Sequence, residues 1–418
     1  MNIFARTNRA GAIYRCIVLA IGVVISAGCN GGSGVVPGQH NTGANANVQI
    51  ASGFVYSTVA SVPAARELAA LPNGDLIVGT SSNQLYIVPN AESAGSPGTA
   101  SVFIALPDSP AQGVAFLSAV SAIFAATQYG VYKIAYHLGD RSESSASAIK
   151  IASVRTGPIS PGSDGDVHRT SSVAASASTL YVSVGSSCNA CVEVDPTRAT
   201  IQAMNLDGSG MHTIATRIRN AIALAVDPAT GVLWAGDAGQ DDLPYGHPYE
   251  FVDAVTLQPG SPVDYGWPDC EENRVAYAPG ANCASVAIPR VEFPAYATHI
   301  GAVVYPRTET GVYAFPASMR GDLFVTSHGS WHCCPATVPE VAAVAMDGDT
   351  PRIAVNWSDP TSQWTPFMWG FGATLSTQYI GRPTGITVGS QGSLFVADDL
   401  NGVIYRIRPA SSTGSQHR

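Results

Sequence analysis

One unit recurs through the chain: a short apolar run, a tight turn holding Asn, Asp or Gly, and a second apolar run that ends in small residues. Six copies are visible, at Leu68–Gly79, Gly113–Phe116 with Ala122–Phe124, Ser172–Ala174 with Leu180–Val184, Ala221–Ala235, Gly321–Val325, and Gly385–Val388 with Gly392–Ala397. Each run is short, apolar and bounded by turn residues, which marks strands rather than helices. No segment holds a 3.6-residue apolar period for three turns, and Pro and Gly punctuate the chain throughout. Self-similarity on this scale predicts a propeller, because one strand pair cannot cover its own two apolar faces and needs neighbouring copies to do so. The expected fold is all-β, a six-bladed β-propeller of four-stranded blades over residues 48–410, with the loops of one face converging on the central channel. An array of β-sandwiches is the competing architecture. The last run, Gly402–Arg408, is expected to complete a blade begun near Ala51–Val59 and so lock the ring.

Composition narrows the class of partner. Of 418 residues, 46% are hydrophobic and 12% charged, as in a compact globular chain. Lys133 and Lys150 are the sole lysines and the net charge is -9, so no nucleic-acid partner is expected, since the phosphate backbone needs a basic face. Arg6, Arg9 and Arg15 precede the apolar run Ile17–Ile25 and then Ser26-Ala27-Gly28-Cys29. This is the layout of an export signal, and the run is too short to span a bilayer. Cys29 after Ala-Gly resembles a bacterial lipobox. Residues 1–29 therefore read as a signal peptide with lipidation and membrane attachment at Cys29, ordinary secretion being the alternative. Residues 30–47, rich in Gly, Asn and Ser, read as a flexible linker, and residues 411–418 as a disordered tail. The expected location is the bacterial cell envelope, lipid-anchored or periplasmic.

Six cysteines remain beyond the leader, an even number suited to an oxidising compartment. Cys188-Asn-Ala-Cys191 reads as a local disulfide, with a redox or zinc pair as the alternative. Cys270 and Cys283 flank a loop and are expected to close it. The vicinal Cys333 and Cys334 pair with each other or with a more distant partner.

Chemistry-bearing residues gather at strand ends. Arg217, Arg219 and Asn220 precede the run Ala221–Val226, and His168 precedes the third repeat, where an imidazole would serve as a general base. A hydrogen-bonded structural His is the other reading. The turn Asp237-Ala-Gly239-Gln240-Asp241-Asp242 offers carboxylates and carbonyls, the hard oxygen ligands that calcium prefers, or else is a solvated acidic tip. His328-Gly-Ser-Trp331-His332 follows a strand, and the Trp331 face would stack on a sugar or cap the core. Arg382 opens the last repeat and Asp398-Asp399 closes its second strand, so that Arg382 binds an anion or pairs with Asp398. No GxGxxG, P-loop, HExxH or GxSxG occurs.

Taken in order, His168, Gly185-Ser-Ser-Cys188-Asn-Ala-Cys191, Arg219-Asn220, Gly239-Gln240-Asp241, Tyr265-Gly-Trp-Pro268, His328-Gly-Ser-Trp331, Arg382-Pro383 and Asp398 resemble the glucose/sorbosone dehydrogenase family, quinoprotein propellers that use pyrroloquinoline quinone (PQQ). The resemblance covers most of residues 60–408 and is strongest from Tyr181 onward. It implies PQQ on one face of the propeller, with Ca²⁺ bridging cofactor and protein. His168 matches the family's base, and Arg219, Asn220, His328, Arg382 and Asp398 match cofactor contacts. Gly239, Gln240 and Asp241 match the metal loop, and Gln112 and Trp331 the substrate side. Where the glucose-oxidising branch has an aspartate steering the base, this chain has Ser186 and Ser187; where that branch has a lysine over the cofactor, this chain has His328-Gly329. Such departures resemble the sorbosone-type branch. The implied activity is an exported oxidoreductase acting on a sugar or polyol and passing electrons to an acceptor in the envelope; the alternative is a non-catalytic propeller lipoprotein that binds a carbohydrate or protein.

Overall fold

The computed structural model describes residues 47–157, 168–169, 171–244, 246–256, 260–331, 337–373 and 378–410, all within one unit, residues 37–418. The expectations for the signal peptide, Cys29, the linker up to residue 46, the tail, His332, Cys333 and Cys334 lie outside the described residues.

Six four-stranded antiparallel sheets form a ring, a six-bladed β-propeller. Counted from the innermost strand outwards, blade 1 is Ala65–Ala70, Leu76–Thr80, Gln84–Val88 and Ser101–Ala105; blade 2 is Gly113–Leu117, Ala122–Ala126, Val131–Ala135 and Ile149–Ala152. Blade 3 is Val173–Ala175, Thr179–Val184, Thr200–Asn205 and His212–Thr216, and blade 4 is Ala221–Val226, Leu233–Asp237, Glu250–Val255 and Val291–Phe293. Blade 5 is His299–Val304, Leu323–Ser327, Glu340–Val344 and Trp364–Trp369, extended by Gln49–Ile50. Blade 6 is closed as expected: Pro383–Val388, Leu394–Asp398 and Val403–Pro409 take their outermost strand, Phe54–Ser61, from the other end of the described chain.

The apolar runs are continuous because both faces of each blade are covered. Side chains alternate across a strand, so Leu394 and Val396 join the core between blades 5 and 6 while Phe395 and Ala397 join the core between blades 6 and 1. Ile77 likewise faces blade 2 while Leu76 and Val78 face blade 6. Near the axis the blades approach so closely that side chains are excluded. A Cβ on Gly113 would lie 2.6 Å from Ser171 O, and one on Gly301 2.5 Å from Thr384 O.

One feature of register positions the site. The first residue of an inner strand pairs with the last residue of the second strand, as in Ala65↔Thr80, Gly113↔Ala126, Ala221↔Asp237, His299↔Ser327 and Pro383↔Asp398. Residues just before inner strands and just after second strands thus share one end of the ring. Bulges interrupt the inner strands of blades 1, 4, 5 and 6 at this same end, turning their first residues off the regular ladder.

Candidate active site

At that end the structure brings together His168, Arg219, Asn220, the 239–241 turn, His328, Trp331, Arg382 and Gln112, which form two arcs. The first is built on blades 3 and 4. His168 packs its Cβ against the backbone of Gly185, where an added Cβ would meet it at 2.7 Å and Asn220 Oδ1 at 2.5 Å. Its Nδ1 lies 3.1 Å from Ser186 O and 2.9 Å from Ser186 Oγ, and that hydroxyl donates to Cys188 O at 2.7 Å. Both groups facing Nδ1 are then acceptors, which fixes the proton on Nδ1 and leaves Nε2 as the basic nitrogen. Burial, with Arg219 and Arg198 beside it, pushes the imidazole well below its ordinary range, the Ser186 carbonyl opposing. Ser186 thus occupies the place where the resemblance led us to look for an aspartate.

Arg219 is buried and committed on every side. Nε donates to Asn189 O at 3.0 Å, Nη1 to Ala238 O at 3.0 Å, and Nη2 to Asn189 Oδ1 at 2.9 Å and to Asp241 Oδ2 at 3.3 Å. The backbone N–H groups of Arg219 and Asn220 donate to the buried Asp237 carboxylate at 3.3 and 2.6 Å. Asp241 also accepts from Trp331 Nε1 at 3.2 Å, which holds an indole that is 68% exposed in a set orientation over the rim. Arg217 points away, to Trp267 O, Gly266 O, Asp264 and Asp269, a structural role.

Beneath the 239–241 turn, Asp237 of the expected metal turn is joined by Glu250 and by Glu271, which the sequence did not single out. Glu250 accepts from Gly239 N at 3.3 Å and from Thr298 N; burial, then Asp237, push it up to about 8 against the pull of Arg219. Burial raises Asp237 to about 6. Glu271 is raised well above the usual range by burial and by Asp237, and among the described residues neither of its oxygens has a hydrogen-bond partner; nor has the buried Gln240 Oε1. Unpartnered buried oxygens among several carboxylates are costly unless a cation completes them, so this donor set fits a hard divalent ion such as Ca²⁺.

The second arc spans blades 5, 6 and 1. His328 Nε2 lies 2.9 Å from Asp399 Oδ1, and Arg66 Nη1 donates to Asp399 Oδ2 at 2.6 Å. Arg66 Nε donates to Gln112 Oε1 at 3.1 Å, which places Gln112, fully buried, behind Arg66. Burial raises Asp399, but His328 and Arg66 outweigh it and hold the carboxyl at about 2. His328 is pushed down to about 4 by burial, with Arg66 and Arg382 adding to it against Asp399. An ionised carboxylate only accepts, so Nε2 carries the proton and Nδ1 is the open nitrogen. Arg382 donates to His328 O at 2.9 Å and Gly329 O at 2.8 Å, and its guanidinium lies 5.5 Å from the Tyr379 ring centroid. Its side-chain hydrogen bonds all go to carbonyls, so its charge is left for a ligand. Asp398, in contrast, is 0% exposed and spends its carboxylate on the N–H groups of Arg382, Leu400 and Asn401 and on Tyr405 Oη. It shapes the turn, and Asp399 is the residue that reaches the mouth.

Among the described residues, two disulfides are present, Cys188–Cys191 and Cys270–Cys283. Among the described residues, no helix is long and apolar enough to cross a membrane.

Sequence reasoning passed over Arg66, Asn189, Glu271 and Asp399 as site residues. Arg66 had a signal: it stands at the start of its inner strand, as Gln112, Asn220 and Arg382 stand at the starts of theirs.

Comparison with known proteins agrees with the geometry. Residues 271–410 match the family model described as TrAA12-like. The fold is shared with the iodide structure of the Trichoderma reesei carbohydrate-active enzyme family AA12 protein, which is 18% identical, covers 89% of this chain and 100% of its own, and has a TM-score of 0.72. A calcium structure of the same family from that organism, also 18% identical, covers 87% and 97% with a TM-score of 0.70. The holo PQQ domain of pyranose dehydrogenase from Coprinopsis cinerea is 17% identical, covers 86% and 97%, and has a TM-score of 0.70. An uncharacterised protein of Borreliella burgdorferi is 26% identical over 233 residues, 54% of this chain, and the chain spans 56% of that relative's length. The chain is therefore a six-bladed propeller similar to the AA12 and pyranose dehydrogenase PQQ-domain structures, with its AA12-like match in its last third.

Proposed function

We propose that the protein is an exported quinoprotein oxidoreductase that binds PQQ and Ca²⁺ at the two-arc mouth and oxidises a hydroxyl or aldehyde group of a sugar or polyol, in the manner of the sorbosone-type branch. The observation that carries this reading is the pairing, at one mouth, of an imidazole whose Nδ1 is bound and whose Nε2 is the basic nitrogen with a guanidinium whose side-chain hydrogen bonds, among the described residues, go to carbonyls, His168 and Arg382. The TrAA12-like match and the quinone-binding structural neighbours support it.

PQQ bound here would supply the acceptor for the hydride that leaves the substrate carbon. Arg382, Arg66 and Arg219 set a positive field for an anionic cofactor and for charge that develops during reduction. Asn220 and His328 line the same mouth. His168 Nε2 takes the hydroxyl proton as the hydride departs, and Ser186 keeps it in the receiving tautomer. Trp331 stacks on the sugar ring. Gly239, Gln240, Asp241 and the acids beneath them hold the cation. Electrons then pass to an acceptor in the envelope, where Cys29 would anchor the chain.

Purified protein reconstituted with PQQ and Ca²⁺ should give a bound-quinone spectrum and reduce a dye with an aldose or polyol panel. A spectrum unchanged from free PQQ would sink the enzyme reading and leave the propeller as a binding module.

A further inference from the structure

The loop leaving the second strand of blade 3 is held by its own disulfide and by side-chain hydrogen bonds rather than by a backbone ladder. No backbone–backbone hydrogen bond among the described residues involves residues 187–194. Side chains do the tying: Ser187 N and Oγ donate to Glu193 at 2.6 and 2.7 Å, and the Cys188–Cys191 bond closes a ring around Asn189 and Ala190. Both half-cystines are part-exposed and Ala190 is exposed, so a small thiol reagent can reach them.

Asn189, inside that ring, touches the first arc through its carbonyl and both polar atoms of its side chain. Its carbonyl accepts from Arg219 Nε at 3.0 Å and Trp267 Nε1 at 3.1 Å. Its Oδ1 accepts from Arg219 Nη2 at 2.9 Å and Asp241 N at 2.8 Å, and its Nδ2 donates to Asp241 O at 3.1 Å. One residue earlier, Cys188 O takes the Ser186 hydroxyl proton that fixes the His168 tautomer. The orientations of Arg219, of the Asp241 rim and of His168 therefore all depend on the path of one short loop.

We propose that the Cys188–Cys191 disulfide is a redox-sensitive clamp on this site, with Asn189 as its positioning residue. A dithiol reductant attacks one sulfur, the S–S bond breaks to a mixed disulfide, and the reagent's second thiol displaces the remaining cysteine. Two electrons and two protons pass to the protein and the reagent leaves as its own disulfide. With the ring open, Asn189 no longer has a set direction, and Arg219 and Asp241 lose their shared anchor. The propeller itself stays closed, because the blades are joined by their cores and because a cross-link across so short a loop constrains the unfolded chain least.

The test uses the full chain as a Cys188→Ser/Cys191→Ser double variant, which leaves Cys270–Cys283 intact, beside Asn189→Ala in the oxidised protein. The first readout is exchange with water, by NMR, of the Arg219 Nη2–H proton that is bound to Asn189 Oδ1, which needs no cofactor. Both variants should keep the thermal midpoint of the parent while this proton exchanges about tenfold faster or more, as expected of a locally opened hydrogen bond. The second readout is PQQ affinity by fluorescence quenching, which should weaken about tenfold in both. That second readout rests on the quinone reading, and the first does not. Failure of the parent to bind PQQ would overturn the function and leave the clamp to be judged by exchange. Unchanged Arg219 exchange in Asn189→Ala would overturn the clamp, even where the cysteine double variant fails to fold.

Discussion

The two arcs of the mouth each present an imidazole with one nitrogen bound and the other open, but they secure it by different chemistry. On blades 3 and 4, His168 is pinned by the neutral carbonyl and hydroxyl of Ser186, with Arg219 and Arg198 close by. On blades 5, 6 and 1, His328 is pinned by the Asp399 carboxylate, which Arg66 also holds. A carboxylate stabilises the imidazolium and a hydroxyl does not, yet burial and the arginines keep both rings neutral at pH 7. The first arc has cations around its base and acids beneath its floor; the second has its negative charge consumed internally and keeps Arg382 for a ligand. Under the proposed function the arcs would divide the labour: one would take a proton and seat a cation, the other would receive an anion.

The sharpest way to break this division is to remove each imidazole. His168→Ala should lower dye reduction by about 10²–10⁴-fold, the usual contribution of a general base, with PQQ affinity unchanged. His328→Ala should weaken PQQ binding instead. Equal loss of binding in both would erase the contrast. Next in size is Arg219→Ala, which leaves Asp241 and the buried acids without their counter-charge. Urea unfolding should show a loss of about 3–5 kcal/mol, larger than for Arg66→Ala, whose carboxylate keeps its contact to His328.

A pH series separates the arcs further. Glu67, on the inner strand of blade 1, is pushed up to about 8 by burial against the pull of Arg66, and one of its oxygens is buried without a partner. A carboxyl whose folded value lies above its unfolded value of 4.5 binds its proton more tightly in the fold. Its contribution to stability is complete below that unfolded value and is lost as pH rises through about 8. Glu67→Gln should therefore flatten the fall in urea midpoint between pH 5 and pH 8; a variant with the parent's slope would contradict the shift. The smallest effect belongs to Trp331→Ala. Its exposed indole contributes little to folding, and loss of a stacking contact worth about 0.5–1.5 kcal/mol should raise KM for the sugar by roughly two- to tenfold with kcat unchanged.

Much of the scaffold was legible in the sequence because blade strands are covered on both faces and so appear as repeated short apolar runs. His168, Arg219 and Arg382 were legible because they flank such runs, and the repeat register alone placed them at one end of the ring. Asp399 was passed over for Asp398 because alternation ceases to discriminate where a strand ends. Glu271 gives no local signal: it is raised first by burial and then by Asp237, with Glu250 adding, and both of those acids come from other segments. Asn189 was visible only as a spacer between two cysteines, since its partners Arg219 and Asp241 lie 30 and 52 residues away.

The strand Phe54–Ser61 pairs along its length with Val403–Pro409, and within the second arc Arg66 reaches Asp399 across 333 positions. Contacts of such sequence separation form late, because a long loop must close before they give any return. On the ribosome, the His168 arc is complete in sequence once blade 4 has emerged, whereas the Arg66–Asp399–His328 arc has to wait for blade 6. On the proposed function, a partly synthesised chain would hold a base and a cation seat with no anion receiver opposite, and acquisition of cofactor would be timed by the closing of the ring.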